Sequence, residues 1–319
     1  MNDSRARLRT IDGAPTLRFE RRLAHPPEKV WRAISDPSEM AAWFPATVTT
    51  APRPGAAMRF TFAEAPETVD SASDGEVLEV DPPKVYMFRW NQDVLRFELV
   101  ADGDGTLLIF THVLGGGPRA RLGAARSATG WDRCLSALAA ALGDAHSAPV
   151  TTLTADIERY IAEFGLDVGY CDEVADGYVL RFARDLVWQP LETLWSLLVE
   201  EQTPSVGALP PTRSMNQHVP AGELVDVEPP RSMAYEWRHD GAVAGTVRWF
   251  FDADPELGVR VELTQTVPSR LARLRPTLLA AWHVHLEFFF AATQGDIRCP
   301  WPDDRVAELT ERYAADLGK

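Results

Sequence analysis

The sequence predicts an α+β protein in which one structural unit is used twice, each unit an antiparallel sheet closed by a long helix. Three observations carry this. Gly75 to Trp90, GEVLEVDPPKVYMFRW, returns as Gly222 to Trp237, GELVDVEPPRSMAYEW, and such self-similarity marks a repeated unit. Leu17 to Pro27, LRFERRLAHPP, returns as Leu180 to Pro190, LRFARDLVWQP. Each half also runs strand, short helix, several strands and then one long apolar helix, an order that gives an α+β arrangement.

Residues 1–15 are polar and irregular and read as a loose lead-in. Leu17 to Leu23 alternates, with Leu17, Phe19 and Leu23 on one face and Arg18, Glu20 and Arg22 on the other, which predicts a half-buried strand. Pro26-Pro27 ends it. Val30, Trp31 and Ile34 then fall at helical spacing within Glu28 to Ile34. A proline in the first turn is harmless there, because the N–H it lacks would have no partner. Asp36-Pro37 stops this helix, and a second short one, Ser38 to Trp43, leads into Trp43-Phe44-Pro45. Met58 to Phe62 and Glu76 to Val80 read as strands on either side of a polar hairpin region, Glu64 to Asp74. Asp81-Pro82-Pro83 is a turn whose prolines set the direction of the chain. Val85 to Trp90, Leu95 to Val100 and Thr106 to His112 are three more strands, the last two joined by the acid-glycine turn Asp102 to Gly105. After Gly115 to Pro118, one long helix, Ala124 to Leu142, carries the stripe Trp131, Cys134, Leu135, Leu138 and Leu142.

The second half follows in the same order. Gly258 to Gln265 matches Gly105 to His112, and Trp282 to Phe289 matches Trp131 to Leu138. A helix at Thr154 to Phe164 carries Glu158-Arg159-Tyr160, echoed by Glu311-Arg312-Tyr313. The expected division is a first domain at 1–150, a connector with a helix at 151–177 and a second domain at 178–319, with a shortened early region and an extra C-terminal helix.

Of the 319 residues 45% are hydrophobic, and ten tryptophans and 14 phenylalanines supply two sizeable cores. A formal net charge of −14 argues against a nucleic-acid or anionic-membrane partner, since both need basic patches. Cys134, Cys171 and Cys299 are widely spaced and outside any CxxC pattern, which fits free buried thiols in a reducing compartment. No apolar run reaches the roughly 18 residues of a membrane span, and the first thirty residues hold no targeting pattern. A cytoplasmic protein without membrane insertion is expected. There is no GxSxG, phosphate loop, dinucleotide fingerprint or metal-ligand spacing, so neither cofactor nor metal is expected.

PPEKVWRAISDP, WFP, GEVLEVDPPKVYMFRW, GDGTLLIFTH and GW at the head of a long helix occur in that order. In this the chain resembles the SRPBCC (START/Bet v 1-like) superfamily, in the branch named after the activator of the heat-shock-protein-90 ATPase. The resemblance covers most of residues 17–142 and fewer motifs of the second half. It implies tandem helix-grip (Bet v 1-like) domains, each a curved antiparallel sheet wrapped round a long C-terminal helix with a cavity between them. Members of that superfamily bind lipids, sterols, polyketides or other hydrophobic small molecules, and a few are cyclases or hydrolases. It supplies no universal catalytic motif, and fold alone does not decide function.

The second copy sets the phase of the strands. Arg260, Glu262 and Thr264 alternate with Val259, Val261, Leu263 and Gln265, so the second set faces the helix. By correspondence Leu108, Phe110 and His112 point inward. So do Tyr86, Phe88 and Trp90, matched by Met233, Tyr235 and Trp237. Phe60 and Phe97 join this candidate lining, with Trp131 and Leu138 opposite, and Trp282 and His285 in the second unit. Trp31 belongs to the same set, and Trp43 and Phe44 are placed at the cavity mouth. A pocket with an apolar and aromatic lining and few polar groups is what a small-molecule site looks like, although the same residues could simply fill a core.

Polar residues in the inward phase are Arg21 and its counterpart Arg184, Glu76 and Glu223, and His112 and Gln265. One reading gives the first cavity a polar end made of Arg21, Glu76 and His112. The other makes Arg21 and Glu76 a rim ion pair and His112 a strand cap. His112 is the candidate general acid/base, because histidine titrates near neutral pH. His283 and His285 are two apart on a helix and do not share a face; His285, in phase with Trp282 and Phe289, reads as a hydrogen-bonded core histidine.

The interval from Trp195 to Gly222 is shorter than that from Trp31 to Gly75, and the second unit has no counterpart of Trp43-Phe44-Pro45. A proline-rich loop, Gly207 to Thr212, stands there instead. The expectation is that unit one keeps the better cavity. The function this favours is binding of a lipid-, sterol- or polyketide-like molecule, mainly in domain 1. The alternatives are a polyketide cyclase or aromatase using the same cavity, and a co-chaperone-like protein with a protein partner.

Overall fold

Each half of the chain folds as a sheet over one long helix. The computed structural model describes residues 5–63, 71–144 and 151–318. The chain divides between Phe164 and Gly165, so the helix expected in a connector lies in the first unit. Most of the polar hairpin region expected at Glu64 to Asp74 falls outside the described residues.

Unit one contains β1 (Arg7–Ile11), β2 (Ala14–Leu23), α1 (Pro27–Ser35), α2 (Pro37–Met40), β3 (Thr47–Thr49), β4 (Ala57–Thr61), β5 (Ala72–Asp81), β6 (Val85–Trp90), β7 (Asp93–Asp102), β8 (Gly105–Val113), α3 (Ala124–Leu142) and α4 (Leu153–Glu163). Its eight strands form one antiparallel sheet in the order β1-β2-β8-β7-β6-β5-β4-β3. The lead-in expected to be irregular is therefore partly a strand. Asp12 and Gly13 both take positive φ, at 50° and 82°, the backbone of a two-residue hairpin turn. The acid-glycine pair in RLRTIDGAPTLRF was the available signal. The buried stripe of α3 includes Trp131, Leu135, Leu138 and Leu142, and Gly143 closes the helix at φ 94°.

The repeated block hides an irregularity. Val77 pairs with Phe88 and Glu79 with Met87, so Leu78 is an extra residue in a β-bulge. A bulge resets the two-residue period. Val77, not Glu76, lies on the buried face.

Unit two contains β9 (Tyr170–Val174), β10 (Gly177–Asp185), α5 (Leu191–Val199), β11 (Ala221–Glu228), β12 (Ser232–His239), β13 (Ala242–Asp254), β14 (Gly258–Pro268), α6 (Arg275–Thr293) and α7 (Asp303–Leu317). The sheet order is β11-β12-β13-β14-β10-β9. The same bulge recurs: Leu224 pairs with Tyr235 and Asp226 with Ala234, leaving Val225 as the extra residue. Leu224 is buried, whereas Glu223 and Val225, expected inward, are exposed. Strands equivalent to β3 and β4 are missing from this sheet. In their stead the chain from Glu200 to Pro220 makes a loop with a short 3₁₀ turn at Thr212–Ser214. The long helix α6 is buried around most of its surface, partly because α7 packs on it.

These are two helix-grip units, each with a long helix against an antiparallel sheet. No helix among the described residues is long and apolar enough to cross a membrane. The three cysteines are free, but the expectation that all are buried fails, because Cys299 is exposed. Burial pushes the Cys134 thiol up to about 11.

Candidate functional site

The inward face of the first sheet is aromatic, and its rings pack on one another. Phe60, Tyr86, Phe88, Phe97 and Phe110 are fully buried, with Leu138 of α3. Phe97 and Phe110 lie 4.5 Å apart between ring centres, as do Phe110 and Trp131, and Phe60 and Trp90. Trp90, half-buried, gives its indole N–H to Ser73 Oγ at 2.7 Å. Phe44 stands among four of these rings: Phe60 at 5.9 Å, Phe88 at 6.2 Å, Trp90 at 5.5 Å and Trp131 at 5.7 Å. Trp43 donates to Ala33 O at 2.8 Å and meets Phe97 at 6.1 Å. Trp43 and Phe44, expected at a cavity mouth, are thus buried parts of the core. Trp31 is half-buried and lies 6.1 Å from Tyr86. The Tyr86 hydroxyl is closed to water without a partner in the chain, and burial raises it to about 12.

Arg21 does face inward, but its partner is Asp132 on α3. The expected ion pair with Glu76 does not form. Glu76 lies on the outer face, 3.3 Å from Arg89, because the bulge at Leu78 shifts its phase. Asp132 also accepts from the Tyr160 hydroxyl at 2.9 Å and lies 3.7 Å from Arg159. The Tyr160 oxygen in turn accepts from the Ala6 N–H at 3.3 Å.

His112 is buried and engaged at both ring nitrogens. Its Nδ1 accepts from Trp131 Nε1 at 2.9 Å, and its Nε2 lies 2.8 Å from Asp93 Oδ2. An indole only donates, so the imidazole proton is on Nε2 and goes to Asp93. The proton transfer suggested for His112 therefore has no unengaged nitrogen to use. Burial by itself would raise the Asp93 carboxyl, but His112 and the Gly115 N–H outweigh it and hold it below the usual range. Trp131→Phe leaves Nδ1 buried without its donor and should lower thermal unfolding stability by about 2 kcal/mol. A melt unchanged from wild type would show that this hydrogen bond is dispensable.

Unit two makes the same clasp with other atoms. Trp282 Nε1 donates to Gln265 Oε1 at 2.6 Å. Gly245 occupies the position of Asp93, and a Cβ there would meet Thr266 O at 2.4 Å. Gln265 Nε2 has no partner in the chain. Trp237, also buried, donates to Thr266 O at 2.8 Å.

Arg184, the counterpart of Arg21, is buried and donates to Leu166 O and Asp167 O, each at 2.8 Å. His283 occupies the place of Asp132. Tyr313 Oη accepts from the Gly169 N–H at 2.9 Å and lies 2.9 Å from His283 Nδ1. His283 Nε2 lies 3.2 Å from Glu287 and 3.4 Å from Asp167. The fold thus gathers Asp167, His283 and Glu287, a grouping a metal ion could use and one that sequence spacing did not suggest. Arg184 beside Asp167 and Arg305 beside Glu287 already balance the two carboxylates. Burial would raise both acids, and His283 with these arginines holds them low.

A half-open cleft of about 300 Å³ lies in unit two. One wall is the segment Arg213, Met215, Asn216 and Gln217. The second is α6, with His285, Phe288, Phe289 and Ala292, and the third is Ile297, Arg298 and Trp301. The first wall is anchored from below: Ser214 O accepts from Tyr235 Oη at 2.7 Å and from Trp249 Nε1 at 3.2 Å. Unit one was expected to keep the better cavity; this cleft lies in unit two. In unit one Trp43 and Phe44 fill the core; unit two lacks them together with the early strands, and the cleft opens beside the loop that replaces those strands.

From α1 through α3, unit one carries all the motifs of the resemblance in order. Residues 24–143 match the family described as Activator of Hsp90 ATPase homolog 1-like protein. This activator-like segment holds the aromatic core and His112, and the cleft lies outside it. No curated protein matches the chain. Among solved structures, the conserved protein of unknown function EF2215 from Enterococcus faecalis is 17% identical, with a TM-score of 0.41 over 50% of this chain and 90% of that one. CalU16 from Micromonospora echinospora is 22% identical, with a TM-score of 0.36 and the same coverage. Protein MLL2253 from Mesorhizobium loti is 26% identical, with a TM-score of 0.37 over 41% of this chain and 99% of that one.

Of the candidate residues, the activator-like segment brings Phe44, Phe60, Phe88, Trp90, Phe97, Phe110 and Trp131 together and sends Glu76 to the surface. In unit two only His285 lines the cleft; Tyr235 supports it from behind, while Arg184 belongs to the buried ion network. Arg213, Asn216 and Trp301 were missed. Arg213 and Asn216 follow directly on the proline-rich loop noted in the sequence, and Trp301 stands in a stretch with no periodic signal.

Proposed function

We propose that the protein binds a hydrophobic small molecule and that the cleft of unit two is where it does so. The observation that carries this is the cleft itself. Phe288, Phe289, Met215 and Ala292 give it an apolar floor, and Ile297, 63% exposed, an apolar edge. Its volume is at the lower end of the range of about 300–1,000 Å³ for ligand sites, which favours a compact ring system over a long lipid. The helix-grip fold is consistent with such a cavity.

Fluorescence of N-phenyl-1-naphthylamine tests the proposal. The dye should brighten on the full-length protein. Ala292→Phe, which fills the floor, should weaken its binding about tenfold, the equivalent of about 1.4 kcal/mol. No enhancement with the wild type would end the small-molecule reading. Enhancement untouched by Ala292→Phe would move the site elsewhere.

A further inference from the structure

We propose that the cleft of unit two selects an uncharged polar head on an apolar body, a head that offers a carbonyl oxygen together with an N–H or O–H. This rests on the reading of the cleft as a small-molecule site and adds the chemistry of the ligand. Among the described residues eight buried side-chain polar atoms have no hydrogen-bond partner in the chain, and four of them belong to the walls of this cleft. They are Arg213 Nε, Asn216 Nδ2, His285 Nδ1 and Trp301 Nε1. Unpaired buried polar atoms are uncommon and individually costly, so a cluster of four around one cleft calls for a partner.

The role of each atom follows from its neighbours. Arg213 Nη2 is held by Glu200 at 2.9 Å, which neutralises the guanidinium and leaves Nε–H as a donor. Glu200 sits at φ 56° and ψ −127°, backbone that glycine tolerates far better. Strain is thus stored at the residue that positions Arg213. Asn216 Oδ1 accepts from the His218 N–H at 3.0 Å, so its Nδ2 is the donor end. Trp301 Nε1 can only donate, and its ring rests against Phe288 at 5.8 Å and His285 at 6.3 Å. His285 Nε2 lies 2.9 Å from Arg213 O. A carbonyl only accepts, so the proton is on Nε2 and Nδ1 is an acceptor. Burial pushes His285 down to about 4, which keeps the ring neutral at pH 7.

The wall residues therefore hold three donors and one acceptor, and their two arginines are balanced, Arg213 by Glu200 at 2.9 Å and Arg298 by Asp296 at 2.8 Å. A carbonyl oxygen can take two of the donors while the adjoining N–H or O–H meets Nδ1. A carboxylate has no proton for Nδ1 and would bring an uncompensated charge into the site. The four atoms are closed to water in this structure, and because Arg213, Asn216 and Trp301 lie outside the strands and long helices, under the proposal their side chains turn to bring each N–H to a ligand.

Displacement of N-phenyl-1-naphthylamine from the full-length protein by 2-naphthamide, 2-naphthoate and 2-methylnaphthalene tests this. The amide should displace the dye at about tenfold lower concentration than the hydrocarbon, and the carboxylate should do no better than the hydrocarbon. His285→Leu deletes the acceptor together with the N–H that faces Arg213 O. Trp301→Phe keeps a ring and deletes one donor. Each should bring the amide toward parity with the hydrocarbon, the two displacement concentrations being compared within the same variant and folding checked separately by its urea midpoint. An amide no better than the hydrocarbon, a carboxylate that binds best, or an amide advantage untouched by both variants overturns the polar head and leaves the apolar site standing. Failure of the dye itself to bind overturns the underlying reading and this proposal with it.

Discussion

Asp132→Ala should lower the stability of unit one by about 2 kcal/mol, between the small loss of an exposed ion pair and the loss of about 3 kcal/mol or more of a fully buried one, because Arg21 and Asp132 are half-buried. The reason is what it leaves behind. Arg21 has 13% of its side chain exposed and would keep its charge with no carboxylate beside it. The Tyr160 hydroxyl would lose its acceptor as well. Urea unfolding followed by tryptophan fluorescence measures the effect. Arg21→Met with Asp132→Leu removes both charges together and should cost less than Asp132→Ala alone, because nothing charged is stranded. A loss below about 1 kcal/mol for Asp132→Ala would place the pair with exposed ion pairs, which contribute little.

Acid should weaken unit two through His285. Burial holds this histidine at about 4, against 6.5 when exposed. The unfolded chain therefore takes up a proton first as the pH falls. The full contribution to stability is present above about pH 6.5 and is lost progressively down to about pH 4. Between about pH 7 and about pH 5 the loss should be about 2 kcal/mol. His285→Gln has no such group, so its urea midpoint should fall less over that interval. Parallel pH dependence of wild type and variant would show that His285 is protonated in the folded protein without penalty.

Alternation and helical stripes placed most strands and the long helices, since those patterns depend on neighbours along the chain. Ala124–Leu142 was legible to the residue. Glu76 was misplaced for a local reason with no local signature: one extra residue, Leu78, reverses the face of everything before it in the strand. The repeat could not correct the error, because Val225 carries the same bulge and the two copies agreed in the wrong phase. Trp43 and Phe44 were placed at a mouth because the family resemblance implies one there, yet Phe44 fills space among rings drawn from two strands, β4 and β6, and α3. The cleft was the least legible feature. Arg213, His285 and Trp301 come from a loop, a helix and a connector, and only folding brings them together.

The tyrosine hydroxyls have a consequence of another kind. Tyr160 on the last helix of unit one holds the N–H of Ala6, which leads into the first strand, and Tyr313 does the same for Gly169 in unit two. In each unit the beginning and the end of the chain are pinned to one another by one phenol. A fold whose first strand is tied to its last helix is self-contained. It works as a cassette: another can follow it in the same polypeptide without either having to open, and residues exchanged within one, such as Asp132 for His283, leave the joint between its ends in place.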